Sequence, residues 1–254
     1  MNNNNFPIVV CLATPERKAN YQWFEGSEAL KSNNIIVETI DGIKSMGVTI
    51  PYDATIDDLL MLHPYEYNKY IHIEDVENAM IKATKFFKYS EILQELGAES
   101  YKVVSGATKV YQVQTDVKGK VSYKKITTPA ELEINVKKTN DFMSKMGFNL
   151  TDTFDGVRTI SEDSFINANN LVNQYRLQDD EFITSLIKKR DPRKANHNRT
   201  ELLHYEAMQE FNKCIDVAVA FNAVSIFDFS AKVKHAISEK VEYNLEIEIT
   251  FPKQ

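Results

Sequence analysis

Lys240-Val241-Glu242-Tyr243-Asn244-Leu245-Glu246-Ile247-Glu248-Ile249-Thr250-Phe251 is the stretch that decides the fold. Val241, Tyr243, Leu245, Ile247, Ile249 and Phe251 alternate with charged or polar residues. Successive side chains of a strand point to opposite faces, so a period of two sustained this long marks a strand with one dry face and one wet face. Upstream, Phe227, Phe229, Ala231 and Val233 alternate with Asp228, Ser230, Lys232 and Lys234. A turn near Ile237-Ser238-Glu239 then predicts a long β-hairpin.

Working towards the N-terminus, a helix is predicted from Asn198 or Thr200, either of which can cap it. It carries Leu202, Leu203, Met208 and Phe211, becomes apolar nearly all round over Ile215–Phe221, and ends at Asn222. Ser161 and Glu162 open another helix through Leu171, Val172, Tyr175, Phe182, Ile183, Leu186 and Ile187. It breaks near Gln178 and stops before Pro192. The clearest helical stripe is Val76, Met80, Ala83, Phe87, Ile92 and Leu96, over Glu74–Leu96, closed by Gly97. A hairpin follows, with Tyr101–Val113 and Lys120–Ile126 joined by Asp116-Val117-Lys118-Gly119. Leu132, Ile134 and Val136 read as a half-buried strand, and Phe142–Gly156 as a loop. In the N-terminal part the expected elements are strands at Ile8–Leu12 and Asn34–Ile40 and helices at Asn20–Leu30 (Trp23 and Phe24 inward) and Thr55–Leu62. A packed tyrosine-rich loop, His63–Tyr70, follows them.

These elements imply an α+β fold: an antiparallel sheet with long β-hairpins, covered on one face by long helices. An irregular α/β subdomain over 1–74 would precede a sheet domain over 75–254, unless the whole is one domain. A shift of 125 residues aligns Gly97 with Asn222, Ala98 with Ala223 and Ser100 with Ser225. It suggests two αββ units as an internal repeat, 75–137 and 200–251.

The 254 residues, 43% hydrophobic and 26% charged, suffice for a buried core without staples. The net charge of −6 argues against a global attraction to nucleic acid or anionic lipid. Cys11 and Cys214 offer neither a disulfide framework nor metal-ligand spacing. No stretch approaches a membrane-spanning apolar length, and no signal peptide is recognisable, so a cytoplasmic location is expected. Gly-rich phosphate loops, the G-x-S-x-G elbow, H-E-x-x-H and EF-hand patterns are all missing from the sequence, which has eight glycines. No cofactor and no metal is therefore expected.

Lys188-Lys189-Arg190-Asp191-Pro192-Arg193-Lys194-Ala195-Asn196-His197-Asn198-Arg199 is a local basic run. Lys188, Lys189, Arg190, Arg193, Lys194, His197 and Arg199 could grip the phosphates of a nucleic acid, nucleotide or lipid head group. They equally suit a solvated connector after a helix C-terminus. Glu201 and His204 form an E-x-x-H pair on the predicted helix, without the second copy a carboxylate-bridged metal site needs. His63, Glu66 and His72-Ile73-Glu74-Asp75 gather histidines and carboxylates near several tyrosines, the ingredients of an acid–base group or a metal site, though at no diagnostic spacing. Cys11, at a strand end before Arg17 and Lys18, has the position of a nucleophile. Along the C-terminal strand, Val241, Tyr243, Leu245, Glu246, Ile247, Ile249 and Thr250 would form an edge able to pair with a partner strand.

The first functional expectation is a non-enzymatic protein–protein interaction or assembly module, with a protein partner or a second copy of the chain. A pore-forming effector with amphipathic β-hairpins at a membrane is the second. An enzyme acting on a phosphate-bearing substrate or nucleic acid through residues 188–199 is the third.

Overall fold

The computed structural model describes residues 6–23, 35–77, 79–115, 121–125, 151–194, 199–206, 209–224 and 231–252. In chain order the elements are β1 (Val9–Leu12), α1 (Pro15–Gln22), β2 (Ile35–Glu38), α2 (Ile40–Ser45), β3 (Leu59–Leu62), β4 (Tyr70–His72), a 3-10 turn (Ile73–Glu77), α3 (Ala79–Glu95), β5 (Ser100–Thr115), β6 (Val121–Lys125), β7 (Thr151–Thr153), α4 (Glu162–Gln174), α5 (Glu181–Lys189), β8 (Thr200–Glu206), α6 (Gln209–Val224), α7 (Ala231–Ala236) and β9 (Glu239–Thr250). The class is α+β, with antiparallel and mixed sheets. Among the described residues, no helix is long and apolar enough to cross a membrane.

The chain divides into two units, each discontinuous in sequence. The first comprises Met1–Glu77, Lys109–Thr127 and Gln209–Val241; the second comprises Asn78–Thr108, Thr128–Met208 and Glu242–Gln254.

In the first unit a four-stranded sheet has the order β2-β1-β3-β4. β1 and β2 are parallel, with Val9 opposite Ile35, whereas β1–β3 and β3–β4 are antiparallel. Every residue of β1 is buried, as its unbroken Val-Val-Cys-Leu run requires of a strand covered on both faces. Val10 and Leu12 join Leu60, Tyr70, Ile43 of α2 and Val48 in one core cluster. Thr14 caps α1 through its hydroxyl, which accepts from the Arg17 N–H, and Pro15 occupies the first turn, where its missing N–H costs nothing.

The second unit packs α3 against α4, and α4 against α5. In its sheet β9 pairs with β8, placing Leu203 opposite Ile247 and Tyr205 opposite Leu245. Leu203, Tyr205, Leu245, Ile247 and Ile249 are buried and Leu202 and Glu248 exposed, the one-sided sheet that the alternation predicts. Gly97 closes α3 with φ 76°, the Ala98 N–H donating to Leu93 O at 3.0 Å and the Gly97 N–H to Gln94 O at 2.9 Å. This is the paired C-terminal bond pattern that calls for a left-handed residue. Ser161 and Asp180 cap α4 and α5.

Several sequence expectations are corrected. α1 covers Pro15–Gln22 and Trp23 is 88% exposed rather than inward, while residues 24–30 of the helix expected over Asn20–Leu30 lie outside the described residues. Thr55–Leu62 is a turn followed by β3: Asp57 takes φ 75°, which no helix interior tolerates, and Leu59–Leu62 finds partners on both sides. Thr200–Glu206 is a strand, not the first half of a helix, because β9 pairs with it. The upstream arm of the C-terminal hairpin is not a strand over Ala231–Ala236, which are helical, with Val233 and Ile237 buried at a spacing of one helical turn. Residues 225–230 lie outside the described residues, as does the strand expected at Leu132, Ile134 and Val136. The 125-residue shift carries α3 onto 204–220, which overlaps α6, and carries part of β5 onto the helical Ala231–Ala236.

Candidate functional site

In the first unit, segment 49–58 starts beside β4, the edge strand. Thr49 and Lys69 form a parallel bridge, with the Tyr70 N–H donating to Thr49 O at 2.8 Å. Beyond that bridge a cleft of about 580 Å³ lies between the two segments, with Lys232 of α7 also lining it. β1, antiparallel to β3, and β4, antiparallel to β3, both end at the same edge: Cys11 lies opposite Leu59, and Leu60 opposite His72. His72 and the Asp53–Asp58 loop therefore gather where β1 and its parallel neighbour present their carboxyl ends. Crevices in that position take ligands in open α/β sheets.

The His72 imidazole sits between two carboxylates. Its Nε2 lies 3.3 Å from Asp53 Oδ1 and its Nδ1 3.7 Å from Asp58 Oδ2. Asp58 is held in place by the Thr55 N–H, which donates to Oδ2 at 2.6 Å, and by the Thr55 hydroxyl at 3.1 Å. The second ring distance is too long for a hydrogen bond. Among the described residues, His72 Nδ1 and Glu74 Oε2 are buried atoms without a hydrogen-bond partner. Four carboxylates line the cleft (Asp53, Asp58, Glu74 and Asp75) against two lysines, Lys69 and Lys232. Lys69 also donates to Glu66 at 2.8 Å. Tyr52, fully exposed, stands at the rim. Among the described residues, no group of three or more His, Cys, Asp or Glu side chains is placed to hold a metal ion.

The two histidines of the sequence cluster part company. His63 is 1% exposed and edge-on to Tyr65 and Phe211. Its Nδ1 accepts from the backbone N–H groups of Tyr65, at 3.2 Å, and Glu66, at 3.1 Å. That pattern requires an unprotonated Nδ1, so His63 organises the loop. His63→Ala is expected to cost about 2–4 kcal/mol by stranding two N–H groups and opening a cavity. His63→Asn, whose Oδ1 can accept from the same turn, should recover at least half. Chemical denaturation distinguishes these outcomes, and equal losses for the two variants would show that the acceptor is unimportant.

Cys11 does not have the environment of a nucleophile. It is fully buried, and burial, reinforced by Asp57, pushes its thiol up from 9.0 to about 12. Iodoacetamide at pH 8.5 is expected to leave Cys11 untouched in the folded chain and to label it on denaturation, as mass spectrometry would read. Because the folded thiol holds its proton more tightly than the unfolded one, this contribution to stability is present below pH 9 and lost as pH rises towards 12.

The basic run is largely committed to the second unit's own structure. Arg190 is buried, its Nε donating to Leu96 O at 3.0 Å and its Nη2 to Val157 O at 3.0 Å and Arg158 O at 3.1 Å. Arg193 grips Asp191 with two side-chain bonds, and Lys194 lies 3.8 Å from the same carboxylate. Lys189 pairs with Glu201 at 2.7 Å. Lys188 and Arg199 are exposed, and His197 lies outside the described residues. Glu201 and His204, on a strand at odd spacing, point to opposite faces and cannot share a ligand, so the helical E-x-x-H geometry is not formed.

The proposed interaction edge is not an edge. β9 lies between β5 and β8 in the strand order, and Leu245, Glu246, Ile247, Ile249 and Thr250 pair with β8. The side chains of Val241 and Tyr243 lie outside the described residues.

Sequence reasoning noted His72, Glu74 and Asp75 but not Asp53, Asp58 or Lys232. No family model, curated protein or solved structure matches this chain.

Proposed function

We propose that the first unit binds a small polar molecule in the cleft beside β4, with His72 and the surrounding carboxylates as its contacts. The observation that carries this reading is a ligand-sized cleft lined by four carboxylates and two lysines, with the His72 imidazole 3.3 Å from Asp53 and 3.7 Å from Asp58. The cleft has room for a ligand of several heavy atoms and combines acceptors, an imidazole, two amines and an aromatic rim. An imidazole between two carboxylates can also move a proton to or from what binds there.

This reading makes a prediction that a purely structural role would not. Glu74→Gln removes one of four neighbouring negative charges and is expected to raise stability by about 0.5–1 kcal/mol while weakening ligand binding. Urea denaturation of the variant tests the first part. A loss of stability greater than about 1 kcal/mol would mean that Glu74 serves the fold, and would count against the reading.

A further inference from the structure

We infer that the outer edge of β8 is a docking site for a second copy of this chain, the two β8 strands pairing antiparallel about a twofold axis. β8 belongs to the second unit and the cleft to the first, so the two sites stand or fall separately. β8 is the terminal strand of the order β6-β5-β9-β8, and among the described residues no strand adjoins its other side. The Phe251 N–H donates to Arg199 O at 2.8 Å, in the same register that sets Thr200 opposite Thr250. Hydrogen-bonded pairs alternate along an antiparallel ladder, so Glu201, Leu203 and Tyr205 turn their backbone N–H and C=O groups to β9. Thr200, Leu202 and His204 turn theirs to the outer edge. Their side chains share the wet face, with Leu202 47% exposed and the His204 side chain 74% exposed. Strand edges are often blunted by proline or lysine, and Thr-Glu-Leu-Leu-His-Tyr-Glu contains neither.

The strand is complementary to itself. Paired antiparallel over its full length, β8 sets Leu202 opposite His204 of the second copy, Thr200 opposite Glu206 and Glu201 opposite Tyr205, with Leu203 at the axis. No like charges face each other, and the exposed Leu202 is covered by an imidazole. Parallel pairing in register would instead oppose Glu201 to Glu201 and Glu206 to Glu206, which is destabilising. An antiparallel shift of two residues either way shortens the ladder. In the full register the edge-directed groups of Leu202 and His204 exchange hydrogen bonds across the axis. Each copy uses the same edge, so assembly closes at two. Seven residues make a short edge, and the association is accordingly weak and concentration-dependent.

Sedimentation equilibrium of the full chain over about 10–500 μM tests this, and a reversible monomer–dimer equilibrium is expected. Leu202→Pro removes an edge-directed N–H and leaves the ladder to β9 whole, so it should weaken the dimer at least about tenfold with unchanged circular dichroism. Thr200→Glu, which needs no backbone change, sets a carboxylate opposite Glu206 of the second copy and should also weaken the dimer. An equal mixture of Leu202→Cys and His204→Cys chains should crosslink on mild oxidation, and Leu202→Cys alone far less, because only the mixture brings two thiols opposite each other. A chain that stays monomeric across this range would overturn the inference. So would a dimer unmoved by Thr200→Glu and by a folded Leu202→Pro, or crosslinking of Leu202→Cys alone that equals the mixture.

Discussion

Arg190→Met is expected to lower the unfolding free energy by about 3–5 kcal/mol, the largest loss for any single side chain in the second unit. Arg190 is 7% exposed, and the partners of its guanidinium among the described residues are three carbonyl oxygens and the face of Phe251, 4.4 Å from the ring centroid. Burial pulls its pKa downwards, yet guanidinium stays charged in proteins. Leu96 O lies at the C-terminal end of α3, where the helix dipole and unpaired carbonyls favour a cation. Methionine fills much of the volume but strands three acceptors, Leu96 O buried and Val157 O and Arg158 O part-buried. Arg190→Lys keeps the charge and loses the fork, so it should fall between, at about 2 kcal/mol. A loss below 1 kcal/mol for Arg190→Met in urea denaturation would show that water replaces the guanidinium without cost.

Gly97→Ala is expected to cost about 2–5 kcal/mol. The left-handed φ of 76° accounts for about 1–2 kcal/mol in a residue with a Cβ. A Cβ at this position would also lie 2.4 Å from Val157 O, so the backbone of that segment must shift, at about 1–3 kcal/mol more. The molecule contains its own control. Gly47 has nearly the same φ, 75°, and nothing within 4 Å of a Cβ, so Gly47→Ala should show the conformational cost alone. Equal losses at the two glycines would remove the steric part of the argument. Because Arg190 also donates to Val157 O, the two sites share a partner and should not add. Once Arg190→Met has released that segment, Gly97→Ala should cost at least about 0.5 kcal/mol less than it does alone.

Gly97 also shows what kind of information the sequence exposes. A helix with an apolar stripe followed by glycine dictates its own ending through local sterics, so α3 and its cap are legible without any partner. The wet and dry faces of β9 are legible for the same reason, since the period of two is a property of the strand itself. Thr200–Glu206 is not legible in that way. Thr-Glu-Leu-Leu-His-Tyr-Glu has apolar residues at both helical and strand spacings, and only pairing with β9 decides between them. Leu59–Leu62 is a short unbroken apolar run, a pattern common to buried strands and helices. For Ala231–Ala236 the alternation is misleading, because Val233 and Ile237 satisfy a helical turn equally well.

The site divides along the same line. His72, Glu74 and Asp75 stand together in sequence and are noticed at once. Asp58 is explained locally as a first-turn acid of the helix expected over Thr55–Leu62, which does not form. Lys232 is remote in the chain and reaches the cleft only because α7 packs on the 3-10 turn after β4. The basic run is the reverse case. It is conspicuous in sequence, yet Arg190, Arg193, Lys189 and Lys194 are occupied by carbonyls and carboxylates that no local pattern announces.

The proposed role of the cleft beside β4 is to keep its carboxylates and imidazole for a ligand. A crystal structure of the full chain soaked with a mixture of small amines, guanidines, polyols and acids tests this. Ordered density is expected in the cleft, with hydrogen-bond contacts to His72 or Asp53. Fragments bound elsewhere with the cleft filled only by water, under conditions where Glu74 and His72 are well ordered, would contradict it.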